Sequence, residues 1–547
     1  MYLLILLSTF ILSVNVSANE ISIKNISLVP SSSYEQLRDE GFKARKDLDP
    51  WQFSTPIEWN ADPFKDENWK FQLHAWRLID PILIKYQETN NSVFLEEAIA
   101  IIMDWYKYHI VNKKQSDMQW YDMSTGLRAM KLAYIWNELS SNKDVITVKT
   151  RKNLHDLMKL HVDKLMDVSF LSEGNHAYFQ LVGLKLLCIA NNTMSTCKDE
   201  TQYNYNNMNK LLNKQFTKEG IHRENSTYYH IFTVKILKRL NITNLYNEDI
   251  TKLINKAELV IPWLTFPDKT IARIGDSAKK DNSKLPKNTE VHMIDGTPAL
   301  IGNYMKSGYI NIRTTQDTPL KTSTQLFITG TSNLDYLVHK HADELSFELF
   351  HNGKLVIVDS GKYSYNEKDV YRDYIKSARA HNTLSIENIE IKPEDVSASG
   401  SKITTFNKNH NNIIVNGQIY RPDLFDHKRE FIFYPFKKLI IKDTFKNDVK
   451  FFLNIKKIIF DTVFTSNLHI NPNLKMSIIS KNIVRINNYA DIELQSKDCE
   501  LQVIHAQESP LLGWVSFSYN KITPTSVVQA RCPISNEGEL IWNITLQ

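Results

Sequence analysis

The stretch His339-Lys340-His341-Ala342-Asp343 sets two histidines one residue apart, with Asp359 and then Ala380-His381-Asn382-Thr383 following it. Its surroundings read as strands: Asp335-Tyr336-Leu337-Val338 before it, Leu345-Ser346-Phe347-Glu348-Leu349-Phe350 after it, and Lys354-Leu355-Val356-Ile357-Val358 next. Residues i and i+2 of a strand point to one face. His339 and His341 are therefore expected to project together from a sheet. Asp359, ending a neighbouring strand, would meet His341 there. Two imidazoles and a carboxylate suit a first shell for zinc.

Outward from this stretch, the hydrophobic period changes once. From about Trp69 to Val260 apolar residues recur at helical spacing, as in Phe94-Leu95-Glu96-Glu97-Ala98-Ile99-Ala100-Ile101-Ile102 and Leu154-His155-Asp156-Leu157-Met158. Polar breaks such as Asn90-Asn91-Ser92 separate roughly eight to ten such segments, which suits paired helices in a ring or solenoid. From about Tyr309 the runs become short and alternating, as in Tyr309-Ile310-Asn311-Ile312-Arg313 and Arg429-Glu430-Phe431-Ile432-Phe433-Tyr434. The expected class is α+β multidomain: an N-terminal (α/α) toroid of paired helices over 19–290, an antiparallel β-sandwich domain with the metal site over 300–465, and a C-terminal β-strand region over 466–547. The last is either a second sheet layer or a small separate module. Arg273-Ile274-Gly275-Asp276-Ser277, between the halves, suits a tight turn.

A chain of 547 residues is too long for one core. A net charge of +5 is compatible with an acidic partner but lacks the bias of a nucleic-acid binder. Residues 1–18, with the run Leu3-Leu4-Ile5-Leu6-Leu7 and the small-residue end Val16-Ser17-Ala18, read as a secretory signal peptide, so a periplasmic or secreted location is expected. No later segment is long and apolar enough to imply an integral membrane protein. In an exported chain Cys188–Cys197 and Cys499–Cys532 would pair as disulfides; four buried thiols are the other reading.

The helical half carries its own polar clusters, Glu173-Gly174-Asn175-His176 and Gly220-Ile221-His222-Arg223-Glu224-Asn225-Ser226-Thr227-Tyr228-Tyr229-His230. Taken alone, an Asn-His is a helix cap beside a surface histidine, and a Tyr-Tyr-His is core. Taken with His339-x-His341-Ala342-Asp343, Asp359-Ser360-Gly361 and Ala380-His381-Asn382-Thr383, in that order, the chain resembles the heparinase II/III-like polysaccharide lyases, a group related in fold to exolytic alginate lyases. The resemblance spans roughly Trp69 to Phe460 and is most specific in the second half. Thr227 departs from it, since many members have proline there. It implies the toroid-plus-sheet architecture and cleavage of a uronate-containing acidic polysaccharide by β-elimination.

That reaction removes the C5 proton, α to a carboxylate, and expels the group on O4. The carboxylate must be neutralised and the developing enolate stabilised. Asn175 and His176 suit that task. Tyr229 suits the acid at O4, and a base role for it would need nearby positive charge. His339 supplies that charge or is itself the base. The resemblance assigns His341, Asp359 and His381 to one structural zinc ion, holding the strand that presents His339 beside Tyr229 in a cleft between domains; the other reading is a metal-free His-Asp-His network. Arg128, Arg223, Arg372 and Arg379 are candidates for sugar carboxylates or sulfates, with Glu224 and Tyr363 as further substrate contacts. Tyr365, Trp76, Trp105 and Trp120 are stacking candidates or core. The alternatives are a glycoside hydrolase using carboxylates such as Glu173, Glu224 and Asp276, or a non-catalytic polysaccharide-binding protein of the same fold.

Overall fold

The computed structural model describes residues 21, 26–142, 144–240, 246–277, 286, 289–330, 336–397, 401–422, 424–447, 463–533 and 537–547; the leader expected over 1–18 lies outside them. The chain forms two compact units. One holds the chain up to Lys214 together with Ile236–Thr251, the other Gln215–Lys235 together with Lys252–Gln547. The division differs from the expected boundary near residue 290: a short helical segment bearing Tyr229 belongs with the sheets.

Among the described residues the helices are α1 (Tyr34–Glu40), α2 (Glu67–His74), α3 (Asp80–Thr89), α4 (Ser92–Tyr106), α5 (Asp122–Ser141), α6 (Val148–Leu165), α7 (His176–Ala190), α8 (Glu200–Gln215), α9 (Thr227–Leu240) and α10 (Glu248–Val260), with α11 (Val370–Lys376) inside the sheet region. Polar side chains start them. Asp66 accepts from the Trp69 N–H at 2.8 Å, Asn91 from Val93 at 3.1 Å and Thr147 from Thr150 at 3.1 Å. The first helical unit is tied at its centre by α5 against α7. A Cβ on Gly126 would strike the Phe179 backbone, and one on Gly183 would strike the Gly126 carbonyl, so only glycine permits that approach.

The same unit buries two cations of α5. Lys131 reaches Asp80 at 2.6 Å and donates to the Ala75 and Trp76 carbonyls, closing the end of α2. Arg128 donates to His74 O, Gln119 O, Ser124, Thr125 and His161, with its guanidinium 4.6 Å from the Trp105 ring centroid and 5.5 Å from those of Trp76 and Trp120. Those tryptophans are core. Cys188 and Cys197 are disulfide-bonded at the end of α7.

In the second unit the strands β1 (Val291–Ile294), β2 (Thr297–Tyr304), β3 (Tyr309–Thr314), β4 (Thr324–Thr329), β5 (Phe347–His351) and β6 (Lys354–Ile357) form an antiparallel meander in chain order. Both faces are covered, so β3 and β4 are buried at every residue. Ile310, Ile312, Leu326, Ile328, Phe347 and Leu349 enter a core shared with the other sheets. Tyr309, Phe327 and Phe350 face Ile221, Val260, Leu264 and Phe266 instead. This alternation is the period-2 signal of the sequence, with an apolar partner on each side.

The remaining strands are β7 (Leu384–Ile386), β8 (Lys402–Lys408), β9 (Ile413–Arg421), β10 (Phe425–Tyr434), β11 (Lys438–Asn447), β12 (Val463–His469), β13 (Met476–Ser480), β14 (Ile483–Ile486), β15 (Ala490–Leu494), β16 (Glu500–His505), β17 (Gln507–Glu508), β18 (Leu511–Leu512), β19 (Trp514–Ser518), β20 (Lys521–Pro524), β21 (Ser526–Pro533) and β22 (Glu537–Leu546). One sheet runs β13-β14-β15-β22-β11-β10-β9-β8 and another β16-β21-β12-β7. Residues after 466 thus complete sheets begun earlier: β22 lies between β11 and β15. They are a sheet component, not a separate module. The Cys499–Cys532 disulfide closes within this region.

The Gly126 contact yields a prediction. Gly126→Val forces an overpacked α5–α7 contact, expected to cost about 1–3 kcal/mol. The measurement is the denaturation midpoint followed by helical circular dichroism; an unchanged midpoint would show that the two helices can separate freely.

Candidate active site

Asp276 is the centre of the polar cluster in the second unit. Its carboxylate is 1% exposed. It accepts both terminal nitrogens of Arg372, Nδ1 of His339 at 3.0 Å and Nε2 of His341 at 3.1 Å. Burial alone would raise its pKa, but those hydrogen bonds and nearby cationic charge hold it far below the usual carboxylate range. Gly275, at φ +54°, makes the approach possible: a Cβ there would strike the carbonyls of Asn225 and His339. The Asp276 N–H donates to His339 O at 3.1 Å, and the Gly275 N–H to Asp343 at 3.0 Å.

The expected strand at His339 is absent. His339 sits in a turn at φ +59° and His341 lies outside any strand, so the i, i+2 rule does not apply. The two imidazoles still converge, because both bind the two oxygens of one carboxylate.

Tyr229 is placed by helix capping. Ser226 accepts from the Tyr229 N–H at 3.2 Å and shares a hydrogen bond with Ser277. Thr227 is the first residue of α9, where proline is also favoured because that N–H has no helical acceptor; here its hydroxyl donates to Ala272 O. The Tyr229 ring lies flat on the His339 imidazole, centroids 3.7 Å apart and planes 8° apart. Its hydroxyl meets that of Tyr365, to which Lys362 Nζ donates at 2.5 Å. Burial pushes the Tyr229 phenol up to about 12, against the opposing effect of the Tyr365 hydrogen bond. Glu224, also buried, lies 3.6 Å from His339 Nε2.

Asp359 meets His381, not His341: its Oδ2 accepts from His381 Nδ1 at 2.7 Å. Among the described residues no group of three or more His, Cys, Asp or Glu side chains is arranged to hold a metal. Two buried imidazole nitrogens nevertheless lack hydrogen-bond partners, Nδ1 of His341 and Nε2 of His381, and the rings are 5.4 Å apart. Each histidine is held by a carboxylate through its other nitrogen, the arrangement that orients an imidazole toward a metal. Asn382 and Thr383 serve the fold. The Asn382 amide donates to Phe347 O and Val358 O, and Thr383 donates to Glu344 O.

In the helical unit Asn175 occupies the N-cap position of α7 without making a side-chain cap bond. His176 opens that helix, with Nδ1 3.0 Å from Asp122 Oδ1. Glu173 is exposed and pairs with Lys214. Arg128 is a correction: its guanidinium is buried and every donor direction is used within the core, so it has none to offer a sugar. Arg372 is another, since its fork is spent on Asp276 and Glu367. Arg379 and Arg223 are half-buried. Tyr363 packs edge-on to Tyr371, centroids 5.9 Å apart.

The contacts of two residues were not foreseen. Asp276 was expected as a turn residue or a hydrolase carboxylate, and nothing local shows that three donors from other segments meet it. Lys362 was not singled out; its place three residues before Tyr365 was the available signal.

Two family profiles cover the chain: "Heparinase II/III N-terminus" matches residues 9–294 and "Heparinase II/III-like, C-terminal" residues 298–543. A heparin-sulfate lyase of Bacteroides stercoris is 24% identical over 494 residues, spanning 81% of this chain and 72% of that protein. One of Pedobacter heparinus is 20% identical over 538 residues, spanning 91% and 76%. Among solved structures, a heparan sulfate lyase mutant of Pedobacter heparinus superposes with a TM-score of 0.71 at 17% identity, covering 97% of this chain and 86% of that one. Heparinase III superposes with a TM-score of 0.70 at 16% identity, covering 97% and 84%. At such identities these superpositions establish the fold.

Removing the charge of Asp276 leaves buried Arg372 with only the exposed Glu367 as a counter-ion. Asp276→Asn is expected to cost about 3–5 kcal/mol of stability in the second unit. Denaturant unfolding checks this; a loss below about 1 kcal/mol would mean that Arg372 finds water or another acceptor.

Proposed function

This chain belongs to the heparinase II/III family of polysaccharide lyases, and from that premise we propose that it cleaves a uronate-containing acidic polysaccharide by β-elimination, with Tyr229 and His339 as its acid and base. The observation that carries this reading is the flat stack of Tyr229 on His339, with His339 Nδ1 held by Asp276. A histidine that donates Nδ1–H to a carboxylate presents Nε2 as a lone pair. His339 Nε2 takes the C5 proton, and the electron pair of that bond forms C4=C5 as the C4–O4 bond breaks. Tyr229 gives its proton to O4. With its phenol pushed up by burial, Tyr229 rests protonated, which suits an acid.

Asn175 and His176, in the first unit, are proposed to neutralise a substrate carboxylate. Asp122 holds His176 through Nδ1 and leaves Nε2 for an acceptor. The amide of Asn175, unused in capping, supplies a second donor. Neutralising the carboxylate is what makes the C5 proton removable. Arg379, Arg223, Glu224 and Tyr363 remain candidates for the flanking sugars. The names of the relatives make heparan sulfate the first polymer to test.

One structural zinc ion is proposed for His341, Asp359 and His381. The unpartnered Nδ1 of His341 and Nε2 of His381 support it. Bound there, zinc would supply rigidity to the loop that carries His339 and would take no part in proton transfer. Export is proposed as well: the two disulfides suit an oxidising compartment, and no helix among the described residues is long and apolar enough to cross a membrane.

Incubation with a panel of uronate polysaccharides, followed by ultraviolet absorbance of the conjugated product, tests the reaction. Wild type is expected to raise absorbance with one polymer class and Tyr229→Phe to lose at least about 100-fold in rate with its fold intact. New reducing ends without absorbance would instead indicate hydrolysis. Metal analysis tests the zinc: chelation should remove one ion per chain and lower the melting temperature, and a metal-free protein of unchanged stability would refute the assignment.

A further inference from the structure

The hydroxyl of Tyr229 is the end of a chain of donors. Lys362 Nζ donates to the Tyr365 hydroxyl at 2.5 Å, and that hydroxyl lies against the hydroxyl of Tyr229. Either hydroxyl of the pair can donate. With Lys362, which can only donate, at one end, the order Lys362 to Tyr365 to Tyr229 leaves the Tyr229 proton directed outward. We propose that Lys362 and Tyr365 are positioning residues that reload Tyr229 with a proton during elimination; the proposal rests on the lyase reading above.

The need for such a relay follows from Tyr229 itself. A phenol at about 12 is a reluctant donor, and the tyrosinate it leaves would sit in a buried site. In the proposed step His339 Nε2 gains the C5 proton. The C4–O4 bond breaks and O4 takes the Tyr229 proton. Tyr229 takes the Tyr365 proton, and Tyr365 takes one from the Lys362 ammonium. No phenolate remains. One positive charge has moved from Lys362 to His339, and the net charge of the site is unchanged. Exchange with solvent then restores both groups.

The surroundings of Lys362 fit a group that gives up its proton. Its ammonium is 3.8 Å from the centroid of the Tyr365 ring and 5.5 Å from that of Tyr519, at the β19–β20 turn. The charged and titratable groups facing it are Asp276 from the 273–277 loop, Arg372 from α11, Tyr229 from α9, and Tyr365 and Tyr519. Asp276 favours the ammonium and Arg372 disfavours it, while burial, the largest effect, brings Lys362 down to about 8. Its position is anchored on both sides: the Lys362 carbonyl accepts from Ser516 Oγ, and the Tyr363 carbonyl accepts from the Asn520 N–H at 2.9 Å.

The test is the pH profile of kcat/KM on whichever polymer the wild type eliminates. The protonated amine is the working form, so wild-type activity should fall as pH rises through about 8. Lys362→Gln should lose at least tenfold in kcat and lose that alkaline limb. Lys362→Cys converted to its aminoethyl thioether should recover activity with the limb moved to lower pH, since that amine is less basic. Lys362→Gln within about threefold of wild type, with the limb in place, would overturn the relay while leaving the lyase reading intact. If no polymer is eliminated, the lyase reading fails, and the relay is judged by nuclear magnetic resonance on protein labelled at lysine Cε. A Lys362 midpoint near 8 that shifts in Tyr365→Phe would support the coupled chain; a midpoint near that of ordinary lysines would overturn it.

Discussion

A single ionised carboxylate organises the second unit. Asp276 is buried, a situation that ordinarily neutralises a carboxyl group. It stays charged because Arg372 meets both of its oxygens and two imidazoles complete the shell. Everything near it is arranged to bring those donors in. Gly275 adopts a left-handed conformation so that three loops can touch, and His339 adopts one too, which turns its ring onto Tyr229. The cost of a non-glycine residue there, about 1 kcal/mol, is small against the Coulombic gain of a buried ionised cluster.

The helical unit solves a related problem differently. Arg128 and Lys131 are buried on adjacent turns of α5, and burial brings their pKa values down to about 9 and about 8. Lys131 has Asp80 as a counter-ion, whereas Arg128 has only carbonyls, hydroxyls, an imidazole and three indole faces. Saturating five donors with neutral acceptors lets a guanidinium remain inside a helical core. Such an arginine ties separate segments together through their carbonyls, and it is invisible to a reading that equates arginine with surface charge.

That contrast marks what the residues alone disclosed. The change from helical to alternating period disclosed the two architectures, helices followed by antiparallel sheets, because both periods reflect burial of one or two faces, which is local; β1 and β2 precede the change near Tyr309. The order of motifs disclosed the family, and Tyr229, His339 and His341 do lie together in one unit. The errors share a cause. His339 and His341 were set on a strand because their spacing matched one, but the backbone there is a turn held by a residue more than sixty positions upstream. Arg372 was offered to substrate because its partner, Asp276, lies 96 positions away. Asp359 was matched with His341, although the histidine it orients is His381. Periodicity reports which side of an element is buried. It carries no information about which distant segment supplies the partner.

The same geometry favours the proposed elimination over hydrolysis. A hydrolase on this scaffold needs one carboxyl group protonated at rest, kept so by burial away from cations, and a second one ionised across the sugar. Asp276 is the reverse of such an acid: three donors hold it ionised and leave it no free oxygen to present to a glycosidic bond. Glu173 is exposed and paired with Lys214. Glu224 lies beside His339 Nε2, where a carboxylate can favour the imidazolium that forms after proton removal. The groups that do sit protonated at this site are phenols. A phenol is too weak an acid to protonate a glycosidic oxygen ahead of a cationic transition state. It is suited to an alkoxide leaving from an enolate, where the developing negative charge meets it. A buried tyrosine beside a carboxylate-oriented histidine therefore suits the proposed elimination better than hydrolysis.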